Sequence, residues 1–176
     1  MNEQTNEQNV FDHLRSAFGD SVEKVELDKV GCAVIWVKKE KLIEILRELK
    51  EREHLAFEFL ADLTAYDDLG EPEESKGRFV MVYNLLSLSQ KKRLRVKARV
   101  ADGEAVPTAV PLWKAANWAE REVWDVYGIP FTDHPDLRRI LLDQRFEGFP
   151  QRKDYHWRKY QIFLDAEPIP EQLLKD

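Results

Sequence analysis

An α+β fold is what the 176-residue sequence predicts: a two-layer sandwich of helices on a mixed, largely antiparallel sheet, followed by a long extended C-terminal tail. Three observations carry that expectation. Apolar residues recur with helical and strand periods in the order helix, two strands, helix, three strands, helix. The strands are joined mostly by short turns, the connection that antiparallel neighbours use. From Gly128 onward both periods stop, yet large apolar residues continue to the end of the chain.

Val10, Phe11, Leu14, Ala17 and Phe18 form the first helical stripe, and Gly19 stops it. Val22 to Leu27 and Cys32 to Val37 read as two strands around a turn at Lys29 to Gly31. Leu42, Ile45, Leu46 and Leu49 make the second helical stripe, with Lys and Glu on its other face. Phe57 to Ala65 reads as a strand that enters the polar loop Asp67 to Gly77, and Arg78 to Leu86 as a buried strand. Lys92 to Val100 alternates without a break: Leu94, Val96, Ala98 and Val100 face one way, Arg93, Arg95, Lys97 and Arg99 the other. A third helix is expected from about Leu112 to Tyr127, ended by Gly128. Residues 1–127 thus form an α/β domain, and 128–176 an extended segment that docks on partners.

The last 49 residues hold five of the eight prolines, which breaks regular structure, but they also carry Phe131, Ile140, Leu141, Leu142, Phe146, Phe149, Tyr155 and Trp157. Each would gain roughly 1.5–3 kcal/mol on burial, so a solvated tail is not expected. Residues 138–160 could extend to roughly 75 Å, against roughly 35–40 Å for the preceding domain. The segment either wraps its own domain or lies along a neighbour. Charge divides at a similar place: residues 1–76 carry 10 basic and 19 acidic side chains, residues 77–176 carry 17 and 14. Two regions of opposite sign suit docking between several neighbours.

Composition removes several functions. With 43% hydrophobic residues and a net charge of -6, the chain is globular and unlike a general nucleic-acid coat. Cys32 is the only cysteine, so no internal disulfide forms and no iron–sulfur cluster or cysteine-rich zinc site is held. The opening MNEQTNEQN is polar with no apolar segment behind it, and the longest apolar run, Cys32 to Val37, is far short of a bilayer span. An intracellular chain without its own membrane crossing is expected. No GxGxxG, GxxxxGK[ST] or GxSxG pattern occurs, so dinucleotide, nucleotide and nucleophile-elbow chemistry have no recognisable site.

Three candidate constellations remain. Glu120, Glu122 and Asp125 lie ahead of His134, a carboxylate–imidazole set that general acid–base work could use. Glu120 and Glu122 are two apart on a helix and diverge, which favours structural ion pairing over catalysis. Lys91 to Arg99 holds six basic residues in nine, a stripe that RNA could use together with Tyr83 and Trp36. The acids Asp67, Asp68, Glu71, Glu73 and Glu74 could instead neutralise it. Finally, His134-Pro135-Asp136-Leu137-Arg138-Arg139 leads from a turn through paired arginines into Ile140-Leu141-Leu142, the composition of an interface hot spot.

The last constellation belongs to a longer run. Glu120-Arg121-Glu122, Asp125, Gly128-Ile129, Phe131, His134-Pro135-Asp136-Leu137, Arg139-Ile140-Leu141, Glu147-Gly148, Pro150 and Arg152-Lys153-Asp154-Tyr155 together resemble the signature of the C subunit of NADH–quinone oxidoreductase, the complex I 30 kDa subunit family. Leu60 to Asp67 is similar to a strand-end segment of that family. Phe149 stands where the family usually shows histidine, and His156 where proline often follows. The resemblance implies a non-catalytic peripheral-arm subunit without cofactors, the FMN and iron–sulfur clusters being held by other subunits. It implies contact with the D (49 kDa), B and I subunits, no nucleic acid, and a place on the cytoplasmic side of the bacterial inner membrane, touched only through the complex. Glu120, Arg121, Glu122, Asp125, Gly128, His134, Pro135, Asp136, Leu137, Arg138, Arg139, Gly148, Pro150, Arg152, Lys153 and Asp154 are then the signature and candidate partner interface. Arg138 and Arg139 are expected where the chain leaves the domain. Related subunits of membrane-bound hydrogenases and of ferredoxin- or F420-linked complexes, or a basic-strand RNA-binding module, are the alternatives.

Overall fold

Strands β1 (Val22–Leu27), β2 (Ala33–Val37), β3 (Phe59–Asp67), β4 (Phe79–Ser87) and β5 (Lys92–Val100) form one sheet in the order β1-β2-β5-β4-β3 in the computed structural model. Residues 3–156, Arg158 and Gln161 are described. Three neighbour pairs are antiparallel and one, β2 with β5, is parallel, so the sheet is mixed as expected. The parallel pair follows from the crossover through helix α2 (Leu42–Glu51), β3 and β4, which returns the chain beside β2 in the same direction.

Helices α1 (Glu3–Phe18), α2 and α3 (Ala116–Tyr127) cover one face of the sheet. Leu42, Ile45, Leu46 and Leu49 put an i, i+3, i+4, i+7 stripe into the core. From the sheet, Ala33, Ile35, Val37, Phe79, Met81, Tyr83, Leu85, Leu94, Val96, Ala98 and Val100 meet it, alternate residues of the central strands. On the other face the long side chains interlock. Arg95 bonds Asn84 and Asp28, and Arg99 bonds Asp68 and Glu73. Lys97 Nζ lies 5.0 Å and 5.3 Å from the ring centroids of Trp36 and Tyr66. Tyr83 does not share that face; it is fully buried on the helix side, so it cannot join Trp36 in a stacking platform.

Two boundaries differ from the sequence pattern. The third helix begins at Ala116, because Leu112 and Trp113 both bond back to the Ala109 carbonyl in a turn that contains Pro111. β3 begins at Phe59, because Phe57 N–H is tied to the Leu49 carbonyl at the end of α2. A two-strand parallel ladder, β6 (Val106–Pro107) with β7 (Phe131–Thr132), joins the segment before α3 to the segment after it.

Candidate functional site

The signature residues collect at the C-terminal half of α3 and at the sheet end where β3 stops and β4 begins. Asp125 is their centre. A carboxylate near a helix C-terminus opposes the helix dipole, yet Asp125 is fully buried. Its Oδ2 accepts from the backbone amides of Ile140, Leu141 and Leu142 at 3.0, 2.8 and 3.0 Å, and its Oδ1 from Arg139 Nη1 at 2.6 Å. Burial alone would raise its pKa; the Leu142 and Leu141 amides, the Arg139 guanidinium and the Ile140 amide together hold it below the usual carboxylate range.

Arg139 is the matching hub. Besides Asp125, Arg139 Nη2 donates to the carbonyls of Phe146 and Gly148 at 3.1 and 3.2 Å. Its guanidinium lies over Trp124, Phe146 and Phe149 at 5.4 to 5.9 Å from the centroids. The side chain is only 11% exposed. This corrects the expectation that both arginines lie where the chain leaves the domain: Arg139 is inside it. Arg138 is outside, with a side chain 66% exposed and a two-point bond to Asp136 at 2.6 and 2.8 Å.

The chain after α3 therefore runs back over its own domain. Arg121 is buried, donates to the Arg138 carbonyl at 3.1 Å and lies over Trp118. Gly128 caps α3 at φ +73°, and a Cβ there would collide with the Phe149 ring, which packs directly on the cap. Gly148 (φ +98°) gives Tyr155 similar access, and Pro150, half-buried, follows. Gln151 N–H reaches the Val126 carbonyl, and Arg152 Nε the Tyr127 carbonyl at 2.6 Å. Lys153 N–H donates to Asp67 Oδ2 at 2.9 Å. Arg78 binds both Asp67 and Asp154 at 2.8 Å, and those carboxylates raise its pKa. Residues 138–155 are thus held by their own domain, the first of the two alternatives that the sequence leaves open. Trp157 and the tail beyond Gln161 lie outside the described residues.

A second buried group sits five residues earlier on α3. Glu120 is fully buried; its Oε2 bonds Thr108 Oγ1 at 2.5 Å and its Oε1 accepts from Ala109 N–H at 2.6 Å. Among the described residues no guanidinium or ammonium pairs with it, so burial pushes its pKa up to about 7, against smaller opposing effects of Thr108 and Ala109. His134 Nε2 is 3.9 Å away and 3.2 Å from the Asn117 carbonyl, while its Nδ1 accepts from Asp136 N–H at 3.1 Å and shapes the His134-Pro135-Asp136 turn. Glu122 is exposed, diverging from Glu120 as its spacing predicts, and Leu137 packs against the core. Thr108 and Arg78 belong to this constellation and are not distinguishable in sequence, and Asp67, read there as an acid opposite the basic stripe, meets Arg78 and the Lys153 amide instead, because these partners are 11 to 86 residues away.

Among the described residues no group of three or more His, Cys, Asp or Glu side chains is arranged to hold a metal ion, and no helix is long and apolar enough to cross a membrane. The model of the family described as "Respiratory-chain NADH dehydrogenase, 30 Kd subunit" matches residues 35–161. The C 2 subunit of NADH-quinone oxidoreductase from Rhizobium etli is 44% identical over 152 residues, 86% of this chain and 79% of that protein. The C subunit of the Geobacter metallireducens enzyme is 46% identical over 143 residues, 81% of this chain and 85% of that one. A solved trypsin-resistant fragment of Nqo5 superposes with a TM-score of 0.65 at 31% identity, covering 75% of this chain and 99% of the fragment. An archaeal membrane-bound sulfane sulfur reductase structure shares the fold at a TM-score of 0.69 and 24% identity, over 93% of this chain and 96% of that one. From its signature, its sheet and these relatives, the chain belongs to the respiratory-chain NADH dehydrogenase 30 kDa subunit family.

Proposed function

We propose that this chain is a non-catalytic subunit in the peripheral arm of a proton-pumping NADH–quinone oxidoreductase, on the cytoplasmic side of the membrane, where it holds the D, B and I subunits in place. The complex passes electrons from NADH through FMN and iron–sulfur centres of other subunits to quinone; this chain supplies structure, not a cofactor. The observation that supports the reading is where the signature's reactive groups point. Asp125, Arg139, Arg121 and Arg152 each bond backbone groups of the segment that follows α3 or of α3 itself, which fixes a surface rather than furnishing a reacting atom. Outside that frame stand Trp118, 65% exposed, Leu141, 62% exposed, and the Arg138 side chain, 66% exposed. Aromatic and Arg side chains of this kind dominate interface energetics.

The test is purification of the complex through a tag on this chain. The D, B and I subunits are expected in equal stoichiometry. A Trp118→Ala, Arg138→Glu double variant should lower the amount of assembled complex while the NADH–quinone rate per assembled complex is kept. Normal assembly with lost turnover overturns the scaffold role.

A further inference from the structure

The sheet end opposite the signature carries exposed apolar groups and cations that nothing among the described residues satisfies. Register places them together: Leu27 pairs with Ala33, Ala33 with Leu94, Leu94 with Leu85, and Leu86 with Phe59. The β1–β2 turn, the β4–β5 turn and the start of β3 therefore line one edge, about 19 Å long for four strand spacings. Among the described residues six large apolar side chains are exposed, and four of them are here: Leu27 (54%), Val30 (88%), Phe59 (51%) and Leu88 (57%).

The charges of this edge divide unevenly. Asp28 is taken by Arg95 and by the amides of Val30 and Cys32. Glu58 is taken by Ser89 Oγ and the Leu88 amide. Lys29, Lys91 and Arg93 are exposed and Lys92 half-buried, and none makes an ion pair among the described residues, whereas Arg95 and Arg99 further along β5 both do. Glu53, on the loop that leads into β3, is exposed, and Glu58, bonded only by neutral donors, keeps its charge, so four cations face two carboxylates and the edge keeps an excess of positive charge. On a chain of net charge -6 this is a local reversal of sign.

We propose that this edge is a second docking surface, and that its occupant is another protein subunit presenting Asp or Glu side chains around an apolar patch. The inference rests on the subunit role proposed above. Complementary charge calls for acids opposite Lys29, Lys91, Lys92 and Arg93, and the two apolar pairs, Leu27 with Val30 and Phe59 with Leu88, call for shaped contacts on both sides of them. A lipid surface fits less well, because interfacial anchoring uses Trp and Tyr, and the exposed apolar groups of this edge include neither. The chain would then bridge neighbours, with its signature at one end of the sheet and this edge at the other.

Photo-crosslinking in the assembled complex tests it, with p-benzoylphenylalanine placed at Val30 and, separately, at Leu88. Exposed Glu44 on α2 is the comparator. Both positions should crosslink to another subunit, at peptides containing Asp or Glu. The variant Lys91→Glu, Lys92→Glu, Arg93→Glu should lower the yield roughly tenfold while the chain's own melting curve is kept. Yields no higher than at Glu44, in a complex that contains the chain, overturn this inference and leave the subunit role standing. Crosslinks to lipid, or sedimentation of the chain with phosphatidylglycerol vesicles that the charge-reversed variant loses, overturn it in favour of a membrane. A chain that never co-purifies with the complex overturns both readings.

Discussion

The two ends of the sheet treat charge in opposite ways. Where β3 ends and β4 begins, Asp67, Arg78, Asp102, Arg152 and Asp154 pair with one another, and Lys153 ties the returning chain to Asp67 and Glu71. At the other end, Lys29, Lys91 and Arg93 face solvent and Lys92 is half-buried, beside four exposed apolar side chains. Paired groups that are partly desolvated fix conformation and cost a great deal when one partner is removed. Unpaired exposed groups do little for folding and are available to a partner. One end is therefore read as the lock that shapes the signature surface, and the other as surface awaiting contact.

The largest expected effect is at the lock. Arg139→Ala leaves the buried Asp125 carboxylate without its guanidinium and should destabilise the domain by about 3–5 kcal/mol, measured by urea unfolding. Arg138→Ala, at an exposed side chain, should leave the unfolding midpoint unchanged. If both variants unfold like the parent, residues 138–155 are not locked and the contrast between the ends disappears.

The next effect depends on pH. The folded-state pKa of Glu120, about 7, lies above its ordinary value of 4.5, so the protonated form is the one the fold favours. Its contribution is fully present below about pH 4.5 and is lost as pH rises through 7, at most about 3 kcal/mol. Glu120→Gln should remove that pH dependence. The difference between the parent and Glu120→Gln, measured from pH 5 to 8, isolates this group from the carboxylates with lowered pKa values at Asp67, Asp125 and Asp154. A difference that does not change with pH would show that Glu120 is ionised in the fold.

A smaller effect is expected at Gly128. Alanine there meets both a left-handed backbone and the Phe149 ring, and should cost about 1–2 kcal/mol, with faster amide exchange at Gln151 and Arg152. Unchanged exchange would mean that the Phe149 contact does not hold the returning segment. The smallest effect belongs to the open end: Lys91→Glu, Lys92→Glu and Arg93→Glu together should shift the stability of the isolated chain by less than about 0.5 kcal/mol.

Much of this architecture was legible in the residues. The alternation of Leu94, Val96, Ala98 and Val100 against Arg93, Arg95, Lys97 and Arg99 states which face of β5 is buried, and the Leu42-Ile45-Leu46-Leu49 stripe does the same for α2. Such patterns are local, set by how side chains alternate along one element. The 36-residue signature likewise needed no structure to point to its family.

The partners across the fold were decided only by tertiary structure. Arg138 and Arg139 are adjacent and chemically identical, yet one is solvated and the other sits between Asp125 and three aromatic rings. Within the basic stripe, Arg95 and Arg99 are neutralised and Lys91, Lys92 and Arg93 are not, because Asp28, Asp68 and Glu73 reach only the former. Tyr83 faces the core and Trp36 the opposite side of the sheet, a separation fixed by strand register. The period of a sequence says that a residue has a face. Which acid, ring or carbonyl waits there depends on segments tens of residues away, brought into place by the packing of the whole domain.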